Sequence, residues 1–222
     1  MSDKISREQT EILLMEYAAG SLNDACSVMV ASYISICPEA RRYYQHCEEL
    51  GGNLIEYYCQ PVAMRGDSLE RVLGKIGAGQ EQQTEPDRSC QFCDQQDLPA
   101  PVKTIIKARR RQGRARWHRA SPGIRYYTLP VESSGHSTML IKMGPHARVP
   151  RHEHPGEEMT LVLEGGFHDE YGHYQAGDLV VIEQTRAHTP IAGPQGCLCL
   201  ITTNLPVRFT GPFGKLLNLL TS

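Results

Sequence analysis

The stretch Pro150-Arg-His152-Glu-His154-Pro-Gly-Glu-Glu158, followed thirty residues later by His188, holds the residue types best suited to chemistry. On an extended strand, residues i and i+2 share a face, so His152 and His154 point the same way. Glu158 follows a turn at Pro155-Gly156 that can bring its carboxylate back to the same point. His188 lies just past a strand-like run, Asp178 to Ile182, that can pair alongside. Three imidazoles and one carboxylate suit a first-row divalent cation. One ion per chain is expected, zinc in the first place, with iron, manganese or nickel admitted by the same donors. A single histidine of this kind is more often a plain surface residue; it is the set that argues for a metal. Glu157 competes with Glu158 as the carboxylate donor, and only the spacing favours Glu158. His168 and His173, in Phe167-His-Asp-Glu-Tyr-Gly-His173, sit in what reads as a hairpin and are expected in solvent.

Such a set needs a rigid frame, and the second half of the chain supplies strand-like runs. Ile124–Leu129, Thr138–Lys142, Met159–Leu163, Asp178–Ile182 and Cys197–Thr202 are short and separated by Gly, Pro, Asn or His. Regular short strands with that punctuation indicate an all-β sandwich or barrel. Cys197 and Cys199 alternate on one such strand, so both thiols face one side and are expected buried, with a redox sensor as the sharper alternative. From Ser6 to about Gly77 the apolar residues instead follow helical spacing: Ile12, Leu13, Tyr17, Leu22, Val28, Met29 and Ile36. Gly20 ends a first helix, Cys37-Pro38 ends a second, Gly51-Gly52 reads as a further break, and Ser68 to Ile76 reads as a short last helix. Between the halves, 78–100 is polar and Pro-containing, and 103–119 carries eight Lys or Arg and no acidic residue. The whole of 78–114 therefore reads as a polar, then basic, linker. Cys90-x-x-Cys93 within it offers only two ligands. The apolar tail Gly214–Leu220 is expected to pack back as a helix; left exposed, it would be a homodimer contact.

The expected architecture is thus α+β with two domains: a small helical bundle over 1–77 and a β-sandwich over 115–222. With 222 residues, 40% hydrophobic and 22% charged, the chain is an ordinary globular protein rather than a disordered one. A net charge of −2 does not indicate a surface built for nucleic acid, and the basic run is expected to be a solvated segment. No run of 18 apolar residues occurs, so no membrane span is expected, and no secretory signal is legible at the start. Eight cysteines in that setting read as reduced thiols, and the expected location is the cytoplasm.

The spacing H-x-H-x3-E-x6-G, ending at Gly165, and then Gly177 with His188 eleven residues on, fits a cupin pattern. LLMEYAAGSL, VASYISICPEARR, LGGNLIE, PVAM and DSLERVL in the first half, with RHEHPGEEMTLVLEGGFHDEYGHYQAGDLV, AHTPIAGPQGCLCL and NLPVRFTGPFGKLL in the second, resemble the ChrR-type anti-sigma factors over nearly the entire chain. The resemblance implies a jelly-roll cupin behind a helical anti-sigma domain. The helical domain would bind an extracytoplasmic-function sigma factor, and the cupin would release it under oxidative stress, singlet oxygen in the best-known member. Carried over by position, the cupin zinc falls on His152, His154, Glu158 and His188. A second zinc site of the family, an upstream His followed by H-x3-C-x2-C, falls on Glu8, Tyr33, Cys37 and Ala40, where only Cys37 and Glu8 can ligate.

Two other classes compete with the regulator. Cupins with three His and one Glu include dioxygenases and isomerases in which an open metal position activates oxygen or substrate; here no additional general base can be fixed, and the helical half would have no task. A small-molecule-binding cupin with a helical oligomerisation domain is the third reading. A sigma factor encoded next to this chain would favour the first.

Overall fold

The computed structural model describes residues 5–78, 98–111, 116–131, 133, 135–182 and 186–210. Five helices come first: α1 (Arg7–Ala18), α2 (Asp24–Ile36), α3 (Pro38–Tyr58), α4 (Ser68–Ala78) and α5 (Ala100–Arg111). Ser6 opens α1 with a capping box, its side chain accepting from Gln9 N–H while the Gln9 side chain accepts from Ser6 N–H. Asn23 caps α2 by accepting from Cys26 N–H, and Pro38 occupies the first turn of α3, where a missing N–H costs nothing.

Two expectations are corrected. The Gly51-Gly52 pair does not break the chain: α3 runs through it to Tyr58, and neither glycine takes a positive φ. Helix-forming Glu48, Glu49, Leu50 and Leu54 flank the pair, and a helical glycine costs only about 1 kcal/mol. The basic end of the expected linker is also not a linker, because 100–111 form α5. Val102 and Ile106 are fully buried four residues apart, while Thr104 and Lys107 are exposed. The charge was legible in the sequence; the apolar stripe beneath it was not read. The tail at 214–220 and the Cys90/Cys93 pair lie outside the described residues.

Nine strands follow: β1 (His118–Ser121), β2 (Ile124–Leu129), β3 (Ser137–Met143), β4 (His152–Glu153), β5 (Glu158–His168), β6 (His173–Gln175), β7 (Leu179–Ile182), β8 (Ile191–Thr203) and β9 (Arg208–Phe209). They form an antiparallel sheet in the order β1-β2-β3-β8-β5-β6, with β7 also on β5, and a two-stranded β4-β9 pair. The long β5 and β8 make its spine. Their pairing is interrupted at Gly165, where the register shifts. Gly165 (φ +65°) faces the carbonyl of Gly196 so closely that a Cβ there would stand 2.1 Å from its oxygen. Only glycine permits that approach, and the irregularity bends the sheet.

The sheet is buried on both faces. Val162, Val180, Ile182, Cys197 and Cys199 join one core cluster, while the alternate residues Leu161, Leu198 and Leu200 are equally buried on the other side. Helix α2 supplies cover there, packing on β8, β5 and α5. Accordingly Met1–Glu48 and Leu98–Ser222 form one compact unit, and Glu49–Asp97 form another. In the first, Leu14, Val30 and Ala40 make a small helical core with Tyr17, Tyr33 and Tyr43.

Since Ile106 is buried, Ile106→Ala is expected to destabilise the chain by about 2–4 kcal/mol. Lys107→Ala, one residue on and exposed, should stay within about 0.5 kcal/mol. Denaturant unfolding of the two variants checks this; equal midpoints would mean that α5 is a passive connector.

Candidate metal centre

Pleat and loop geometry bring three of the four expected residues to one point. His152 stands on β4, His154 just beyond it, and His188 in the segment between β7 and β8. A pair of backbone hydrogen bonds, His152 N–H to His188 O (3.1 Å) and His188 N–H to His152 O (2.8 Å), fastens the two segments together. Nε2 of His188 lies 3.1 Å from Nε2 of His152 and 3.0 Å from Nε2 of His154. All three rings are buried, and among the described residues they form the one group of His, Cys, Asp or Glu with metal-holding spacing.

The proton inventory decides what this cluster can hold. His152 Nδ1 faces the Pro150 carbonyl at 2.8 Å, and His188 Nδ1 faces Asp169 Oδ2 at 2.8 Å. A carbonyl and a carboxylate only accept, so both Nδ1 atoms carry the hydrogen. Each ring, when neutral, then presents a bare Nε2 lone pair to the other. Burial, reinforced by the neighbouring imidazoles, pushes His152 down to about 4 and His154 down to about 3, so both are neutral near pH 7. A zinc–imidazole bond is about 2.0–2.1 Å, which sets two nitrogens on one ion about 3.0–3.4 Å apart. The observed spacing and the facing lone pairs both fit a divalent cation.

Glu158, at the start of β5, is buried but stands outside this nitrogen group. Its Oε2 lies 3.2 Å from His154 Nδ1, without hydrogen-bond alignment, and its Oε1 accepts from the Thr160 hydroxyl at 2.9 Å. Burial raises its carboxyl to about 7, against the pull of His188 and Thr160. Glu157, the competing carboxylate, turns the other way by the strand's pleat and lines a cleft with Ile12, Leu13, Leu22 and Cys26. His168 and His173 pair across the β5–β6 hairpin with stacked rings, apart from the cluster.

The residues around the cluster were not found from sequence. Asp169, Glu170 and Thr189 hold its loops, yet Asp169-Glu-Tyr-Gly172 reads in sequence only as a turn. Cys197 and Cys199 both sit in the core; their mutual hydrogen bond holds Cys197 below the usual thiol range and, together with burial, Cys199 well above it.

The helical half does not fit the second zinc pattern. Ala40 is buried, and Tyr33 and Cys37 pack with it in the helical core. Glu8 is exposed on α1. A closed tetrahedral site needs four donors, and these positions offer two.

The family described as the ChrR cupin-like domain matches residues 107–207. The chain is 36% identical over 214 residues to the anti-sigma-E factor ChrR of Cereibacter sphaeroides, covering 96% of both chains. It is also similar to the solved structure of Rhodobacter sphaeroides SigE in complex with the anti-sigma ChrR, with 32% identity, 90% of this chain and 97% of that one covered, and a TM-score of 0.67. A likeness that runs through helices and cupin alike, and not through the cupin alone, shows that the chain belongs to the ChrR family of anti-sigma factors.

Proposed function

We propose that this chain sequesters an extracytoplasmic-function sigma factor through its helical residues 1–77 and releases it under oxidative stress through the metal-binding cupin of 115–222. The observation that carries the reading is an uncovered apolar face. Leu69, Val72, Leu73 and Ile76 fall at i, i+3, i+4 and i+7 of α4, which is one side of a helix, and are 55–67% exposed. Leu50, Leu54, Tyr57 and Tyr58 repeat the pattern on α3, and Val62 and Met64 between the two helices are also exposed. Scattered exposed leucines need no explanation, but a concentrated band marks a binding surface. Helices with such anchors dock into a partner's groove. The matched solved structure is of an anti-sigma factor holding its sigma factor.

In the cupin, zinc is held by His152, His154 and His188 with Glu158 as the fourth donor. Bound there, zinc supplies a fixed positive charge that ties the β4, β5 and β7–β8 segments together. No helix among the described residues is long and apolar enough to cross a membrane, and the proposed site of action is the cytoplasm, where sigma factors meet the polymerase core. The dioxygenase or isomerase reading falls away, because the relative matched over 96% of its length is a regulator.

Co-expression of the full chain with an extracytoplasmic-function sigma factor of the same organism should give a complex that survives purification. Leu73→Asp with Ile76→Asp should weaken that complex about a hundredfold or more, since each lost anchor removes about 1.5–3 kcal/mol of burial. The melting temperature should hardly move, because both residues are exposed in the free chain. A double variant that co-purifies as well as wild type places the interface elsewhere.

The raised Glu158 carboxyl gives a pH signature. Below pH 7 it is protonated in the free chain and must lose that proton to ligate. Calorimetric zinc titrations at pH 6 in buffers of different ionisation enthalpy should show about one more proton released by wild type than by Glu158→Gln. At pH 8.5 the difference should vanish. Equal release at pH 6 would remove Glu158 from the ligand set.

Loss of the helical ligands implies that metal is not needed there. With a strong chelator present, the helical circular dichroism of the full chain should persist and the sigma complex should still form. Helix loss on chelation would show that a substitute ligand set exists.

A further inference from the structure

Asp169, at the tip of the β5–β6 hairpin, touches none of the nitrogens that face the centre, yet it is 1% exposed in its side chain and fully engaged. Its Oδ1 accepts from the backbone N–H groups of Tyr171 (2.9 Å) and Gly172 (3.0 Å), which fixes how the carboxylate is turned. That leaves Oδ2 aimed at His188 Nδ1, 2.8 Å away. His188 is the hub of the cluster, the ring whose Nε2 lies within 3.1 Å of both others. The next residue extends the hold. Glu170 accepts from Thr189 N–H (2.8 Å) and from the Thr189 hydroxyl (2.9 Å), and pairs with Arg151 at 2.9 Å. The tip therefore grips both His188–Thr189 and Arg151–His152, the two segments that carry the cluster.

We propose that Asp169 is the positioning residue of the centre: its carboxylate fixes His188 as the Nδ1–H tautomer and so aims a bare Nε2 at the metal position. Resting on the metal reading above, the inference adds how the site is made ready before any ion arrives. A carboxylate behind an imidazole also raises the ring's basicity as a ligand, and removal of such partners typically costs 10–100-fold in metal affinity. Asp169 and Glu158 together bring two negative charges, enough to neutralise a divalent ion in a buried site.

Asp169→Asn is the telling variant because it keeps the shape. Its Oδ1 can still accept from Tyr171 and Gly172, so the turn survives, but an amide NH2 now faces His188 Nδ1. Two donors cannot face each other, so Nδ1 must become the acceptor and the proton moves to Nε2. Long-range 15N–1H spectra of the metal-free full-length chain read this directly. Wild type should show His188 as Nδ1–H and the variant as Nε2–H, with the other backbone resonances in place. Titration with cobalt(II), followed by its visible absorption against a competing chelator, should show affinity 10–100-fold weaker in the variant. A wild-type His188 protonated on Nε2, an Asp169→Asn chain that keeps Nδ1–H, or equal cobalt affinities would each overturn the proposal. A wild type that takes up no cobalt overturns the metal reading instead, while the tautomer comparison still decides the role of Asp169.

Discussion

Two imidazole lone pairs held 3.1 Å apart repel, and the cupin is built to hold them there all the same. The work is divided among elements that have little in common along the sequence. The paired backbone bonds between His152 and His188 set the distance between the two loops, and Pro150 and Asp169 set the direction of the rings. The β4–β9 pair fixes the outer end of the first loop, and the glycines at 165 and 196 let the sheet bend. None of these contacts relieves the repulsion. A divalent cation placed among the nitrogens would relieve it, because each bare lone pair could then be donated to the ion. Burial adds to this, because it keeps His152 and His154 from relaxing by protonation near neutral pH.

The same chain treats apolar surface in two opposed ways. On β8, successive residues Cys197, Leu198, Cys199 and Leu200 are all buried, since the sheet has a core on one face and helical cover on the other. Between Leu50 and Ile76, side chains of equal hydrophobicity remain in solvent. Sequence pattern alone would have led either set to be read as core, because it reports which residues are apolar and not what covers them. Exposed apolar stripes that follow the helical repeat on each of two helices are expensive for a free protein to carry, which is why a partner explains them better than chance does.

Much of this was legible in sequence, and the rest was hidden for identifiable reasons. Strand runs bounded by Gly and Pro read correctly because short, β-branched apolar runs and the turn chemistry agree there. The H-x-H spacing puts His152 and His154 on one side, and in the structure both rings stand beside His188. Glu158 was harder: spacing distinguishes it from Glu157, and the pleat does send it inward, but its carboxylate comes to rest beside His154 Nδ1 rather than among the Nε2 atoms. That placement depends on Thr160 and on burial, which no spacing rule contains. Asp169 was missed because an Asp in a turn is common, and its second oxygen finds His188 only through the fold. Helix α5 was missed because its five lysines and arginines mask three apolar residues, Val102, Ile105 and Ile106, that sit at i, i+3 and i+4.

The departure of the helical half from the family's zinc pattern has a physical counterpart in the packing. In small zinc domains the metal contributes on the order of 10 kcal/mol to folding, so a chain that loses two ligands must find comparable stability elsewhere. Tyr33 and Ala40 lie in one apolar cluster with Leu14 and Val30, and the Tyr33 ring fills space there without needing an ion. Burial, with the hydrogen bond to Cys37, holds the Tyr33 phenol above its usual range, so it stays neutral at the edge of that cluster. Beyond it, Met29 on α2 and Val102 and Ile106 on α5 are fully buried, each side chain worth about 1.5–3 kcal/mol. Together these side chains come to the same order as the missing metal. Stability drawn from packing on the sheet differs in kind from stability drawn from zinc: neither chelation nor thiol oxidation can remove it. In this chain, the only described cluster able to answer such chemistry through a metal is the histidine set in the cupin.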